Sequence, residues 1–390
     1  MFDRRTILKG GLVLAASPAG LRHAAAQAPA VVPVAALQEM IEAEASAARA
    51  RHGAALAVVL GVVGPRGGGR LLFAGREGLT NPGGRRLILD GATPFEIGSI
   101  AKVFTACLHY QKHGPFTGRL GEWLAPRRLS RGLAAIPLAD LARYQPGLAQ
   151  DNHGAVLPPG AMASFDSLFG YLAGAQPIAP PGSCYSYSNL GWSLLAMAGA
   201  GAGSGNAAAF AERYDSALRA YGKGLGMSAT GVFRPEVKAR LPQAYRRDWR
   251  ALPPGADYRP TYPAGVGSGG IVSTGADMLA FLRHSMGLGE GGMSSPALAY
   301  LQGPAFASPR CGGGRAPRTA YGWILHDVAT PAGPLALVTK DGAVAGFTAW
   351  MGFPAWQGTG APAPAGVFAL CNGPGAAGVG LKAMRRILAA

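Results

Sequence analysis

Apolar runs typical of β-strands lie near both ends of this 390-residue chain, and this distribution limits the fold more than any other feature. Near the start, two such runs are separated by Gly-Pro-Arg-Gly-Gly-Gly, which favours an antiparallel hairpin. The stretch 112–310 combines short helical patterns with Pro- and Gly-rich loops and has no long, regular strand pattern. The predicted strands are Ala54–Val63, Arg70–Ala74, Leu335–Thr339, Phe347–Phe353 and Gly366–Cys371.

Helical patterns accompany these runs at both ends of the chain, over 35–51 and 380–390, and a third covers 99–111. The simplest assembly is an α+β fold, in which one antiparallel sheet built from both chain ends is flanked by helices from both ends. We expect residues 35–110 and 320–390 to form this α/β lobe and residues 111–319 to form a large, mainly α-helical second lobe. A cleft between two lobes is the expected position of a functional site.

The first 28 residues have the composition of an export signal. The pair Arg4-Arg5 precedes an apolar run over Gly10–Ala16, and small residues that suit a cleavage site follow at Ala24–Ala28. The arginine pair indicates the twin-arginine route, and the apolar run is shorter than the roughly 20 residues that a membrane span needs. We predict an exported, periplasmic or secreted protein whose single mature domain covers 29–390 and has no transmembrane segment.

The chain is strongly basic, with a formal net charge of +16. Its hydrophobic content of 49% excludes a disordered chain. Lysine and arginine are scattered and form neither a dense run nor a basic helix interleaved with aromatic residues, so a nucleic-acid partner is not predicted. A solvated basic surface is the favoured interpretation, and for an exported protein an anionic polymer of the cell envelope is the more natural macromolecular partner.

The four cysteines show no spacing typical of a zinc site. Cys107 and Cys371 lie in apolar runs and are expected to be buried small hydrophobic residues. An oxidising compartment permits disulfides, and the pair Cys184 and Cys311 is the pairing to test.

Two further patterns resemble a metal site and a dinucleotide site but lack the residues or context that either site needs. His109 and His113 have the i,i+4 spacing of a metal pair, but no HExxH glutamate and no third ligand accompany them, so histidines near a helix end are the favoured interpretation. The run Gly265–Gly270 matches GxGxxG without the strand and βαβ context of a dinucleotide site. We therefore predict neither a metal nor a cofactor.

The strongest chemical signal is the segment Phe95–Thr105, which contains Ser99 and Lys102. Residues three apart project from the same face of a helix. A serine hydroxyl needs a base, and a partly desolvated lysine can serve as one because burial lowers its pKa. The start of the helix also favours a developing negative charge. Ser-x-x-Lys by itself is common, so the assignment depends on what accompanies it.

Two further elements follow in order. Pro181–Trp192 contains Tyr187-Ser188-Asn189 after a Pro-Gly turn, and Thr339–Phe347 contains Lys340-Asp341-Gly342 before a turn. With the Ser99 segment, this trio resembles the motifs of the class C β-lactamase and low-molecular-weight penicillin-binding protein family, which also includes esterases and D-amino-acid peptidases. The resemblance covers residues 35 to 390, nearly the whole mature chain, and three motifs in order are far more specific than one.

The resemblance implies a role for each matched residue. Ser99 is the expected nucleophile, Lys102 its partner, and Tyr187 a proton relay whose pKa nearby lysine charge lowers. Asn189 is expected to bind Lys102 and a substrate amide, and Lys340 to bind a substrate carboxylate. The remaining predicted site residues are Gly342 and Ala343, because the backbone N–H groups of Ser99 and of Ala343, just past Gly342, would form the oxyanion hole.

One position departs from the family pattern. The family's usual third motif has Thr after its lysine, or His in place of the lysine, and this chain has Asp341 after Lys340. A carboxylate there can pair with Lys340 and repel the carboxylate that β-lactams and D-Ala-D-Ala peptides both carry. If side chains alternate along the strand, Asp341 points away from the cleft and its effect is weaker. The pattern therefore favours a general serine hydrolase over a β-lactamase.

The resulting hypothesis is an exported hydrolase that forms an acyl-enzyme on Ser99 and hydrolyses a small ester, amide, D-amino-acid peptide or β-lactam. The alternative is a penicillin-binding-type protein on the same fold with little or no turnover. A basic wall-binding protein whose motifs are coincidental is the third interpretation.

Overall fold

The computed structural model describes residues 32–149, 164–252, 263–289, 291–330, 333–355 and 365–389. The predicted export signal lies outside these ranges. Within them, no helix is both long and apolar enough to cross a membrane.

Ten strands are found in the described residues. They are β1 (Val58–Val63), β2 (Gly69–Ala74), β3 (Pro94–Glu96), β4 (Gly231–Val232), β5 (Ile271–Thr274), β6 (Arg318–Thr319), β7 (Ile324–Thr330), β8 (Gly333–Val344), β9 (Phe347–Pro354) and β10 (Gly366–Cys371). Seven of them form an antiparallel sheet in the order β2-β1-β10-β9-β8-β7-β6. Strands from the two ends of the chain pair as the second and third members of this sheet, where Val58 of β1 lies opposite Cys371 of β10. The predicted antiparallel sheet built from both ends of the chain is confirmed.

Twelve α-helices accompany the strands in the described part of the chain. They are α1 (Val34–His52), α2 (Ala101–His113), α3 (Leu120–Leu124), α4 (Arg131–Ala134), α5 (Leu138–Ala142), α6 (Phe165–Leu172), α7 (Asn189–Gly199), α8 (Ala207–Gly224), α9 (Val266–Gly269), α10 (Gly275–Ser285), α11 (Ser295–Gln302) and α12 (Ala376–Ala389). Eight of them, α2 to α9, lie between β3 and β5, in line with the mainly helical character predicted for the middle of the chain.

The main sheet separates two hydrophobic cores. The terminal helices α1 and α12 cover one face, where Ile41 and Met384 pack with Leu337 and Val367 of the sheet. The other face packs against the larger core, which includes Phe104 of α2 and Phe281 of α10, stacked with ring centroids 4.0 Å apart. Both faces are therefore buried, which explains why β1 and β10 are apolar at nearly every position rather than alternating.

A second, three-stranded sheet in the order β3-β5-β4 was not expected from the sequence. Its strands have only three, four and two residues, too few for an alternating pattern to be visible. β6 and β7 were also missed, and β8 is longer than predicted. The small sheet matters for function because β3 leads into the Ser99 segment and β5 follows the glycine-rich run.

Candidate active site

Ser99 lies in a 3₁₀ turn, Gly98–Ile100, that leads directly into α2. The small sheet holds the start of this turn, because the N–H of Ile97 donates to the carbonyl of Ile271 at 3.1 Å. α2 is buried over Ala101–Cys107, so the serine stands at the end of an interior helix. Ser99 itself is half-buried and thus accessible to a small substrate.

Lys102 lies one turn after Ser99 and is completely buried, with an exposed fraction of 0%. Its Nζ lies 2.9 Å from Ser99 Oγ, 2.7 Å from Asn189 Oδ1 and 2.7 Å from the carbonyl oxygen of Ser268. Lys102 is also hydrogen-bonded to Tyr187, so oxygen acceptors surround the three protons of its ammonium group. The surroundings of Lys102 therefore suit a charged lysine that fixes the serine hydroxyl in place.

Tyr187 and Asn189 are positioned by the residue between them. Ser188 is the N-cap of α7, and its hydroxyl accepts from the N–H of Gly191 at 3.1 Å. A capping serine needs extended backbone, so the chain passes from an extended segment into a helix at this point. The Tyr-Ser-Asn sequence thereby places an aromatic ring and a helix-start amide side by side against Lys102.

Two lysines lie against the ring of Tyr187. Lys102 Nζ is 4.9 Å and Lys340 Nζ 5.4 Å from the ring centroid. Burial alone would raise the pKa of the phenol, but the two positive charges and hydrogen bonds to Ser99 and Lys102 outweigh it and lower the pKa to about 8. Tyr187 is thus a hydrogen-bond partner of Ser99 that ionises near physiological pH.

Tyr144 supports Tyr187 from the helical part of the molecule. Its ring stacks on that of Tyr187 with centroids 5.6 Å apart, and its hydroxyl donates to the carbonyl of Gly322 at 2.8 Å. Its φ of 63° is unusual for a bulky residue, and such strain persists only where the surroundings fix it. We infer that the rigid Tyr144 limits the movement of the Tyr187 ring.

The third motif lies on a free segment of strand edge. β7 pairs with β8 only as far as Thr339, so residues 340–344 have β9 on one side and the Ser99 turn on the other. β8 and β9 are joined by the two-residue turn Ala345-Gly346, with φ values of 48° and 82°, which makes Val344 and Phe347 the hydrogen-bonded pair. The next pair is non-hydrogen-bonded, so the N–H of Ala343 points away from β9 towards Ser99.

Two glycines allow the backbones of the turn and the strand to approach. A Cβ on Gly98, whose φ is 50°, would lie 2.6 Å from Ala343 N, and a Cβ on Gly342 would lie 2.0 Å from the carbonyl oxygen of Ile97 and 2.9 Å from Ser99 N. Only glycine fits at either position. The N–H groups of Ser99 and Ala343 therefore lie side by side, which is the arrangement that an oxyanion hole requires.

Lys340 and Asp341 form a close pair at this edge. Lys340 Nζ donates to the backbone carbonyl of Asp341 at 2.7 Å and to its carboxylate at 3.2 Å. Lys340 is buried, and burial opposes its charge, but Tyr187 and Asp341 outweigh that effect and raise its pKa. The charge of Lys340 also holds the pKa of Asp341 below its usual range. At neutral pH the pair therefore carries one positive and one negative charge.

A disulfide joins Cys184 to Cys311 beside this site, as the pairing singled out from the sequence predicts. The two strands of chain also exchange backbone hydrogen bonds, because the N–H of Tyr185 donates to Pro309 and that of Cys311 donates to Tyr185. The disulfide thus anchors the segment that carries Tyr187. Cys107 and Cys371 are free and buried, as predicted.

His109 and His113 lie among aromatic side chains of the core. His109 is 2% exposed and stacks on Phe116 with centroids 4.8 Å apart. Burial lowers its pKa to about 4. Among the described residues, no group of three or more His, Cys, Asp and Glu side chains is placed to hold a metal ion.

Residues 39–390 match the family model described as Beta-lactamase, which covers most of the chain. The chain belongs to the β-lactamase family. It is therefore a serine hydrolase by family, and its fold and the order of its motifs agree with that membership.

Solved structures of this fold resemble it at low sequence identity. A D-alanine carboxypeptidase from Burkholderia cenocepacia is 20% identical with a TM-score of 0.66, over 91% of this chain and 99% of that one. A β-lactamase/D-alanine carboxypeptidase from Pseudomonas syringae is 21% identical with a TM-score of 0.67, over 90% and 98%. An octameric penicillin-binding protein homologue from Pyrococcus abyssi is 18% identical with a TM-score of 0.68, over 91% and 77%. Among curated proteins, none is similar enough in sequence to count as a relative.

The structure brings together all seven residues that the sequence singled out, and it adds two that were missed. The missed groups are the Ser268 carbonyl, which accepts from Lys102, and the Tyr144 ring. Ser268 lies in the glycine-rich run, whose close packing is evident at Gly267, where a Cβ would lie 2.1 Å from the Ala196 side chain. The only sequence signal was a cluster of small residues before a strand, which does not indicate a lysine acceptor.

Proposed function

We propose that this member of the β-lactamase family is an exported enzyme that forms an acyl-enzyme on Ser99 and hydrolyses a small ester, amide, D-amino-acid peptide or β-lactam. The observation that carries the proposal is the contact of Ser99 with both Lys102 and Tyr187 at a helix start. Nucleophile, charged partner and a group of lowered pKa are the parts that acyl transfer requires.

In the proposed mechanism, ionised Tyr187 is the base. Lys102 donates to Ser99, Asn189 and the Ser268 carbonyl, and its charge lowers the pKa of the Tyr187 phenol, which is about 8 and which is bonded to Ser99. Tyr187 takes the proton of the Ser99 hydroxyl as Oγ attacks the substrate carbonyl, and the resulting oxyanion accepts from the N–H groups of Ser99 and Ala343.

The same phenol completes both halves of the reaction. When the tetrahedral intermediate collapses, Tyr187 gives its proton to the leaving group, and the acyl group stays on Ser99. A water molecule then loses a proton to Tyr187 and attacks the acyl carbonyl, and the proton returns to Ser99 Oγ as the acid product leaves. Lys102 and Lys340 stabilise the phenolate through the charges that they hold 4.9 Å and 5.4 Å from the ring centroid.

The test uses Ser99→Ala and Tyr187→Phe, with Ser183→Ala as a matched control. Ser183 is an exposed serine near the site, and its hydroxyl bonds locally, to the Pro180 carbonyl and to Cys184 Sγ. Turnover of 4-nitrophenyl esters and nitrocefin is measured with labelling by fluorescent penicillin. We expect Ser99→Ala to abolish turnover and labelling, Tyr187→Phe to reduce turnover by about 10²- to 10⁴-fold, and the control to retain activity.

Other outcomes contradict the proposal in different ways. Full activity of Ser99→Ala on every substrate would show that the nucleophile is wrong. Stable labelling of the wild type without turnover would favour a penicillin-binding-type protein. If the wild type showed no labelling and no turnover, a basic wall-binding protein with coincidental motifs would be favoured.

Export is part of the same proposal and is tested separately. The Arg4-Arg5 pair and the disulfide between Cys184 and Cys311 both suit an oxidising compartment outside the cytoplasm. We expect the full chain to be found in the periplasm or medium. Replacement of both arginines by lysine is expected to retain it in the cytoplasm, while replacement of Lys9 by arginine is not.

A further inference from the structure

The position that departs from the family pattern lies beside the proposed oxyanion hole. Asp341 is on the free edge of β8, immediately before Gly342 and two residues before Ala343, whose N–H faces Ser99. Two residues of strand span about 7 Å. The Asp341 carboxylate is thus a near neighbour of the proposed oxyanion hole.

Within the Lys340–Asp341 pair, the negative partner faces outwards. The Lys340 side chain is 1% exposed and that of Asp341 is 69% exposed. A substrate that approaches along β8 therefore meets the carboxylate first. His326 on the neighbouring strand does not compensate this charge at neutral pH, because burial lowers its pKa below the ordinary value for histidine.

Lys340 has few protons left for a substrate. Its Nζ donates to the Asp341 carbonyl at 2.7 Å and to the Asp341 carboxylate at 3.2 Å, and the group lies 5.4 Å from the centroid of the Tyr187 ring. Two of its three N–H groups are thus directed at Asp341. The resemblance implies that this lysine binds a substrate carboxylate. To do so, the substrate would have to displace the Asp341 carboxylate from Lys340.

We propose that Asp341 is a binding site for a cationic group, such as an ammonium, on the leaving-group side of the substrate. The site then prefers cationic leaving groups to neutral ones, and neutral leaving groups to anionic ones. Peptides that end in a D-alanine carboxylate and common β-lactams, which carry a carboxylate, are therefore not its best substrates. This inference rests on the proposed acyl-transfer function. We place the cationic group on the leaving group because Lys340, which Asp341 contacts, is the residue expected to bind the carboxylate of a D-Ala-D-Ala peptide, and that carboxylate belongs to the residue that leaves.

The experiment compares three esters with one acyl group and different phenols. The phenols are 3-hydroxybenzoate (anionic), its methyl ester (neutral) and 3-hydroxy-N,N,N-trimethylanilinium (cationic). kcat/KM is measured for wild type, Asp341→Asn and Asp341→Thr, and each ratio of variant to wild type cancels the intrinsic reactivity of the ester. Relative to the neutral ester, we expect Asp341→Asn to raise kcat/KM about tenfold for the anionic ester and to lower it about tenfold for the cationic ester. One charge at roughly 5–6 Å and an effective dielectric constant of about 40 imply an effect of that size.

Asp327→Asn is the matched control. Asp327 is an exposed carboxylate on β7 that pairs with Arg318, and it lies opposite Ala336, five positions before Asp341 along β8 or about 16 Å away. Its removal changes net charge equally, so the three ratios are expected to stay within a factor of about two. Unfolding midpoints in urea show whether each variant is folded.

Two results would overturn the inference. If Asp341→Asn and Asp341→Thr changed all three esters by one common factor, Asp341 would act only by holding Lys340. If wild type preferred the anionic ester and the variants lost that preference, Lys340 would be the substrate site. Failure of the proposed function looks different, because no ester would then show turnover that depends on Ser99, and this inference would fall with it.

Discussion

Replacement of Lys340 by Gln tests whether Tyr187 is the base. Lys340 Nζ lies 5.4 Å from the centroid of the Tyr187 ring, and its side chain is buried. At an effective dielectric constant of about 20 to 40, one charge at that distance stabilises a phenolate by about 3 to 1.5 kcal/mol. Since one pKa unit corresponds to about 1.4 kcal/mol, the pKa of Tyr187 is expected to rise by about one to two units.

The assay is the pH dependence of kcat/KM for a 4-nitrophenyl ester, followed at a wavelength where the product signal does not change with pH. The ionised phenol is the active form, so wild-type activity rises with pH through a midpoint near the Tyr187 pKa of about 8. In Lys340→Gln the midpoint is expected between about 9 and 10.

The control is Lys112→Gln, which removes the same charge from α2 ten residues, or about 15 Å, beyond Lys102. Its midpoint is expected to coincide with that of the wild type. An unchanged midpoint in Lys340→Gln, with activity lower at every pH, would refute the reasoning and assign the base to another group. Circular dichroism and an unfolding curve establish that the variant is folded.

Three further predictions concern the frame of the site. Gly98→Ala is expected to lower kcat by at least about 100-fold, since a Cβ would lie 2.6 Å from Ala343 N, which the proposed mechanism uses in the oxyanion hole. Gly53→Ala, at a similar φ with no atom within 4 Å, should keep wild-type kcat in the same assay. The double replacement of Cys184 and Cys311 by serine opens a loop of 127 residues, so urea unfolding should show a free energy of unfolding lower by about 5 kcal/mol, and a reductant should destabilise the wild type but not the variant. His109, whose pKa burial lowers to about 4, binds protons more readily in the unfolded chain, so unfolding free energy should fall as pH decreases from 6.5 towards 4, and His109→Phe should reduce that slope. An equal slope in the variant would contradict this account.

Some of the site was open to prediction because it is local in the chain. A serine and a lysine three apart on a helix share a face, as the sequence predicts for Ser99 and Lys102. Ser188, which the structure shows capping α7, is of a residue type that favours helix starts. Strand patterns at both ends of the chain also required a sheet that joins them, and Val58 pairs with Cys371 as that requires. Such features depend on periodicity and capping, which act over a few residues.

Other features were decided only by tertiary structure. The Ser268 carbonyl accepts from Lys102, 166 residues away in the chain. Every residue has a backbone carbonyl, so the sequence does not indicate which one will accept. The tyrosine that stacks on Tyr187 and the short strands that hold the Ser99 turn likewise depend on contacts between distant segments. These long-range contacts depend on how surfaces pack, and packing has no periodicity in the sequence.

Asp341 shows how the two kinds of information combine. The sequence alone placed a carboxylate beside Lys340 and left open whether strand alternation would turn it away from the cleft. In the folded chain, Lys340 is buried against Tyr187 and its ammonium donates to an exposed Asp341. Burial separates the two charges by depth, and the sequence, in which they are neighbours, carries no information on that depth.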